Sequence, residues 1–281
     1  MRKIRNCNSS VLLTGGSKCP INYNRVIGAI AMYHGHKLPA NLTAETLEQL
    51  CHADGKERAF MMYRFVEYAR EGGEPNVSSV GYGGDDFAGL SNRKDTFTMK
   101  KYNEVLAAYL LKVSNVEFDV YYFDEDNVIY GVNDGTDTLA GIPMNCIYPT
   151  ATPHPTSSDK STLTVTFSLT DAQEALEEFD FIQLDFKPGD AGMGLVPVKL
   201  VQTTANSGKY KIVELYGGYD RTAEFGSTIA TAATTVLSGV TAAEYSATDE
   251  ALTITAASGA TPTLKSSSVL YTNDIKGIEA V

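Results

Sequence analysis

The chain has 281 residues, 43% hydrophobic and 20% charged, with a net charge of −11. This composition excludes a disordered chain and leaves room for two or three domains. The charge is uneven, with 15 Lys and Arg against 11 Asp and Glu in residues 1–112 and 8 against 23 in residues 113–281, and the acidic part repels phosphates and is unsuited to gripping nucleic acid.

The first residues, Met1 to Arg5, are basic, but only Val11, Leu12 and Leu13 follow as an apolar run, too short for a secretion signal. The longest mostly apolar run, VIGAIAMY at 26–33, is far short of a membrane span, so no membrane partner is expected. Cys7, Cys19, Cys51 and Cys146 are irregularly spaced without a CxxC, which suggests free thiols in a reducing cytoplasm. Asn8, Asn41 and Asn76 head N-x-S/T triplets that mean little without a secretory route.

In chain order, NLTAETLEQLCHADG predicts a helix with Thr43 as N-cap, Leu47, Leu50 and Cys51 on one face and Gly55 near its stop. KERAFMMYRFVEYAREGG repeats Ala59, Met62, Phe65, Val66 and Ala69 at spacings of three and four, which predicts a second helix ended by Gly72 and Gly73. NVSSVGYGGDDFAGLSNRKD carries four glycines and is expected to be a long flexible loop. Within it, Tyr82, Asp85, Asp86 and Phe87 are candidates for contact with a neighbouring subunit. TMKKYNEVLAAYLLKVSN is the cleanest helix, with Tyr102, Val105, Leu106, Tyr109, Leu110 and Val113 as its apolar stripe.

From Glu117 the character turns to strand. FDVYYFDEDNVIYGVNDGTDTLAGIP, residues 118–143, packs six acidic residues and three tyrosines into 26 positions. Its β-branched and aromatic runs predict a hairpin with turns at Phe123–Asn127 and Asn133–Asp137. GIPMNCIY, STLTVTFSL and FIQLDF are further strands, with TATPHPTSSD a linker and TDAQEALEEF a short helix capped by Thr170 or Asp171. VPVKLVQT and KYKIVELY flank TANSG as a hairpin. The Ala, Thr, Ser and Gly-rich residues after Gly217 predict short strands, an Ig-like sandwich or sheet extension. The expected fold is therefore α+β: a helical N-terminal region (1–115), a predominantly antiparallel sandwich or barrel (116–216) and a small Ig-like β region (217–281).

Asp124 and Asp126 suggest calcium, but an EF-hand loop needs alternating oxygen ligands and a mid-loop glycine, and Val128 and Ile129 stand where those belong. His34 and His36 could start a zinc site with Cys51 and His52, although structural zinc takes tightly paired ligands. Cys51 and His52 as nucleophile and base fail on geometry, because adjacent helical residues diverge. TGGSKCP at 14–20 lacks the spacing of a phosphate loop. No cofactor is expected.

The run FDVYYFDEDNVIYGVNDGTDTLAGIPM and the ending SVLYTNDIKGIEAV after a small-residue region resemble structural proteins of tailed phages and prophages of gut Bacteroidetes, and within that group tail-tube or similar ring-forming virion proteins. The resemblance covers Glu117 to Val281. It implies a tail-tube-like β-sandwich or barrel that forms homo-oligomers, hexameric rings stacked with other virion proteins, made in the bacterial host cytoplasm. It also implies an acidic lumen that passes DNA without specific binding, in agreement with the acidic C-terminal part. A capsid or neck position, an adhesin or carbohydrate-binding module with an Ig-like C-terminal domain, and a hydrolase using Asp124 and Asp126 stay open as alternatives.

Overall fold

The structure is a computed structural model that describes residues 24–281, apart from 80, 134, 136–137, 153, 156–159, 193 and 205–206. The phosphate-loop-like stretch, Cys7, Cys19 and Asn8 lie outside the described residues. The chain divides into two compact units, residues 1–47 with 60–192 and residues 48–59 with 193–281. The sequence-derived boundaries at 115/116 and 216/217 fall inside these units.

The first unit contains β1 (Val26–Tyr33), the start of α1 (Ala44–Cys51), β2 (Phe60–Tyr63), β3 (Phe65–Glu71), β4 (Pro75–Ser79), β5 (Asp85–Leu90) and β6 (Lys94–Met99). It continues with α2 (Glu104–Lys112), β7 (Phe118–Asp124), β8 (Val128–Asn133), β9 (Leu139–Ala140), β10 (Ile142–Thr152), β11 (Thr162–Leu169), α3 (Glu174–Glu177), β12 (Phe179–Gln183) and α4 (Pro188–Ala191). Ten strands form one antiparallel sheet in the order β12-β8-β7-β10-β11-β6-β3, with β1 on β7, β2 on β1 and β9 on β8.

Strand β7 is the branch point. All seven of its residues are buried. One edge pairs with β1 from Phe118 to Asp124; the other is shared, Phe118–Val120 pairing with β10 and Tyr122–Phe123 with β8. Phe118, Val120 and Tyr122 join Phe65, Phe97, Phe167, Leu163 and Val165 in the main core. Tyr121 and Phe123 point to the opposite face and are also fully buried. There the Tyr121 hydroxyl accepts from the Leu38 amide and donates to the Leu139 carbonyl. Phe123 lies over Gly28, where a Cβ would sit 2.2 Å from its ring, so β1 can cross there only as glycine.

The expected helical N-terminal third is contradicted. Strand outweighs helix overall, 44% to 20%, and residues 60–71 form β2 and β3 in place of the helix expected from KERAFMMYRFVEYAREGG. Arg64, at φ 73°, breaks the stretch into two strands with different partners, β1 and β6. Met62 and Phe65 are buried as in the helical pattern, but Val66 and Ala69 are exposed. Tertiary pairing overrides the local spacing. The two other helices hold. Thr43 Oγ1 accepts from the Thr46 amide and caps α1. Asn103 Oδ1 accepts from the Leu106 amide and caps α2. Part of the expected 150–159 linker is strand, and Pro149 fits within β10 because β7 covers only Ile142–Met144 of that edge.

The second unit holds β13 (Val196–Gln202), β14 (Lys209–Glu214), α5 (Thr222–Thr231), α6 (Ala233–Val236), β15 (Leu237–Ser238), β16 (Val240–Ser246), β17 (Ala251–Ala256), β18 (Thr263–Leu264), α7 (Ser267–Thr272) and β19 (Ile278–Ala280). Its main sheet runs β16-β17-β14-β13-β19, antiparallel except for the parallel β13–β19 pair. Ile229, Ala233 and Val236 from the helices pack with Val198, Ile212, Leu252 and Ile254 from the sheet. The expected Ig-like region is thus corrected to a five-stranded sheet with helices packed against it and a separate short β15–β18 pair. Residues 48–59 belong to this unit through polar contacts: Arg58 pairs with Glu279 and donates to Ser267, Asp54 accepts from Ser267 and Ser268, and Glu48 meets Tyr271 and Lys276.

A polar cluster centred on the buried Asp95 joins β3, β6 and β7. Arg93 Nε and Nη2 grip the Asp95 carboxylate at 3.0 and 2.9 Å, and the Tyr68 and Tyr122 hydroxyls donate to it at 2.8 and 3.4 Å. Burial, then the Asp95 charge, pushes the Tyr122 hydroxyl well above the usual phenol value and Tyr68 more modestly upward. Burial opposes the Arg93 charge, but Asp95 outweighs it and the guanidinium is held more firmly protonated. Asp95→Ala leaves that cation and both hydroxyls without their acceptor. The expected loss is about 3–5 kcal/mol of unfolding free energy, read from denaturant titration.

Candidate functional site

Of the carboxylates and histidines singled out in the sequence, Asp124, Asp126, His34 and His52 use their side chains in structural hydrogen bonds, while His36 is bonded through its backbone amide. Asp124 is fully buried at the end of β7. Its Oδ1 accepts from the Asp126 and Val128 amides, both at 2.9 Å, and its Oδ2 from the Tyr130 hydroxyl at 2.5 Å. Asn127, at φ 64°, completes the turn into β8. Asp126 is turned away and accepts from the Asn24 side chain. A carboxylate with three donors has little capacity left for a metal, and no group of three or more His, Cys, Asp or Glu among the described residues is arranged to hold one.

His34 Nδ1 meets Asp119 Oδ1 at 2.9 Å, while Gly35 donates its amide to Asp119 Oδ2 at 2.8 Å. The amide of His36 donates to the Tyr33 carbonyl. In the other unit His52 is fully buried. Its Nδ1 lies 2.8 Å from the Glu48 carbonyl and its Nε2 accepts from the Gly277 amide at 2.9 Å, which sets a neutral ring with its proton on Nδ1. With both nitrogens committed to backbone and the ring stacked on Tyr271, His52 has no nitrogen left to serve as a base for Cys51.

Among the described residues, the stretch expected to be a loop stands outside the large sheets. It forms a two-stranded hairpin, β4 with β5, that belongs to no larger sheet. It extends the β3–β6 pair, with the joint carried by Gly73 donating to the Ser91 carbonyl and Ser91 to the Glu74 carbonyl. Gly72 makes the joint possible, since a Cβ there would lie 1.9 Å from the Asn92 carbonyl and its φ is +73°. Every described residue of β4 is exposed. Val77 and Phe87 face each other across the strands, 59% and 57% exposed. Tyr82, in the connecting turn, is fully exposed, and Asp85 and Asp86 stand opposite Ser79 and Ser78. The four candidate contact residues thus share one arm. Sequence reading missed Val77, although its spacing from Ser79 in NVSSV is that of one strand face.

No family model matches the chain, and no curated protein matches it. Among solved structures the chain is similar to the cap that terminates the tube of the anti-feeding prophage, at 9% sequence identity and a TM-score of 0.26, over 62% of this chain and 100% of that one. At that TM-score the similarity carries no assignment of fold or function. No helix among the described residues is long and apolar enough to cross a membrane.

Asp124→Ala removes the acceptor for two amides and a buried hydroxyl, and is expected to cost about 3 kcal/mol or more. Asp126→Asn is expected to change stability by less than about 0.5 kcal/mol, and millimolar calcium or zinc to leave the melting temperature of the wild type unmoved. The hydrogen bond to Asp119, then its charge, raises the His34 imidazole above the ordinary histidine value. Its contribution to stability is full below that ordinary value and lost as pH climbs through the raised one. A melting series from pH 5 to pH 9 is expected to show this decline in the wild type and to show it reduced in His34→Asn.

Proposed function

We propose that this protein is a non-enzymatic structural subunit that assembles with copies of itself, as a tail-tube or related ring component of a phage particle. The arm β4–β5 carries the reading. An isolated two-stranded hairpin is marginal in water, and among the described residues this one leaves all of β4, the first four residues of β5 and an apolar cross-strand pair exposed. A neighbouring copy that covers Val77, Tyr82 and Phe87 stabilises the arm and gains an interface of the aromatic kind that dominates binding.

Two further observations support the reading. The side chains of Asp124, His34 and His52 are engaged in holding turns, strand ends and backbone. The acidic excess over residues 113–281 suits a conduit that DNA traverses without adhering. The phage setting and the six-fold ring rest on the sequence resemblance.

The test is negative-stain electron microscopy with sedimentation velocity over a concentration and salt series. Rings or tubes are expected from the wild type. Val77→Ser with Phe87→Ser is expected to raise the assembly concentration by about tenfold or more while unfolding free energy falls by no more than about 1 kcal/mol. A wild type that stays monomeric under every condition overturns the proposal.

A further inference from the structure

The arm is one end of a longer ribbon. From Phe65 paired with Met99 to Ser79 paired with Asp85, the β3–β4 and β5–β6 strands run side by side, about 45–50 Å along the contour. The two ends differ in charge. Between Glu74 and Asn92 the acidic residues Glu74, Asp85 and Asp86 meet no lysine or arginine. At the opposite end three cations, Arg64 before the Phe65–Met99 pair and Lys100 and Lys101 after it, outnumber the nearby carboxylates Glu67 and Glu104. All three are exposed, and none makes an ion pair with another described residue. Half-buried Tyr63 and Tyr102 flank them in sequence.

We infer that the acidic, aromatic tip of one copy docks on the basic end of the same ribbon in the next copy. This rests on the self-assembly reading above and names its receptor surface. Asp85 and Asp86 face Arg64, Lys100 and Lys101, and Tyr82 and Phe87 offer ring faces to the same cations. The occupant is a second copy because the complementary patches lie on one chain at opposite ends of one element. Two different patches on identical subunits make a head-to-tail contact, which closes into a ring or runs on as a tube.

The experiment is reciprocal charge reversal, read by sedimentation velocity at matched concentrations in low salt. The tip variant is Asp85→Lys with Asp86→Lys. The base variant is Arg64→Glu with Lys100→Glu and Lys101→Glu, with a second form that leaves Arg64 intact in case its left-handed backbone makes that change disruptive. Each variant alone is expected to need at least about tenfold more protein to assemble. An equimolar mixture of tip and base variants is expected to recover to within about threefold of the wild type, since every tip then finds an end of opposite charge. If the wild type assembles and the tip variant fails, but the base variant behaves as wild type or the mixture does not recover, this docking is overturned and self-assembly through the arm stands. A wild type that never assembles overturns both.

Discussion

Everything in the first unit depends on β7 being hydrogen-bonded along both edges and buried on both faces. A strand in that position must be apolar without alternation, and FDVYYFD comes close, with its two aspartates placed where donors reach them. Because β10 and β8 divide one edge between them, the sheet forks, and the strands beyond the fork go separate ways. On one branch lies the β6–β3 edge, which continues outward as the arm. The exposed hairpin is thus rooted, through three ladders, in the most deeply buried strand of the unit.

The Arg93–Asp95–Tyr68–Tyr122 cluster is the polar counterpart of that rooting. It sits where β3 and β6 leave the sheet, and it ties the edge pair to β7 through Tyr122. A buried pair of this kind adds little net stability but is costly to break, so it serves to fix the one arrangement in which the ribbon leaves the sheet.

The sequence was legible where local chemistry decides the outcome. The Thr43 cap, the Asp124 turn and the strands from Phe118 to Leu169 follow from residues within a few positions of each other. Residues 60–71 misled because Ala59, Met62 and Phe65 satisfy a helical spacing, while the strands they join, β1 and β6, lie some thirty positions earlier and later. The stretch 222–236 misled in the other direction. Its Ala and Thr content suggested turns and strands, yet Ile229, Ala233 and Val236 form a helical stripe and Asp220 accepts from the Thr222 amide at its start. The arm was read as a loop because its glycines hid the strand pairing between them. None of the named candidate residues had to move for that correction, since all four sit on the hairpin.

The discontinuity of the second unit has a temporal consequence. Residues 48–59 are synthesised long before residues 193–281, to which they are bound through Arg58, Asp54, Glu48 and His52. In between, the ribosome must deliver the whole of 60–192. During that interval the end of α1, with Cys51 and His52 destined for full burial, has nothing of its own unit to pack on. The second unit therefore closes late, over a long loop, and contacts of such high sequence separation slow folding. In the assembly proposed above, that delay keeps newly made chains incomplete for a time, and it makes the rate at which the C-terminal sheet closes a determinant of how many chains reach assembly competence before they aggregate.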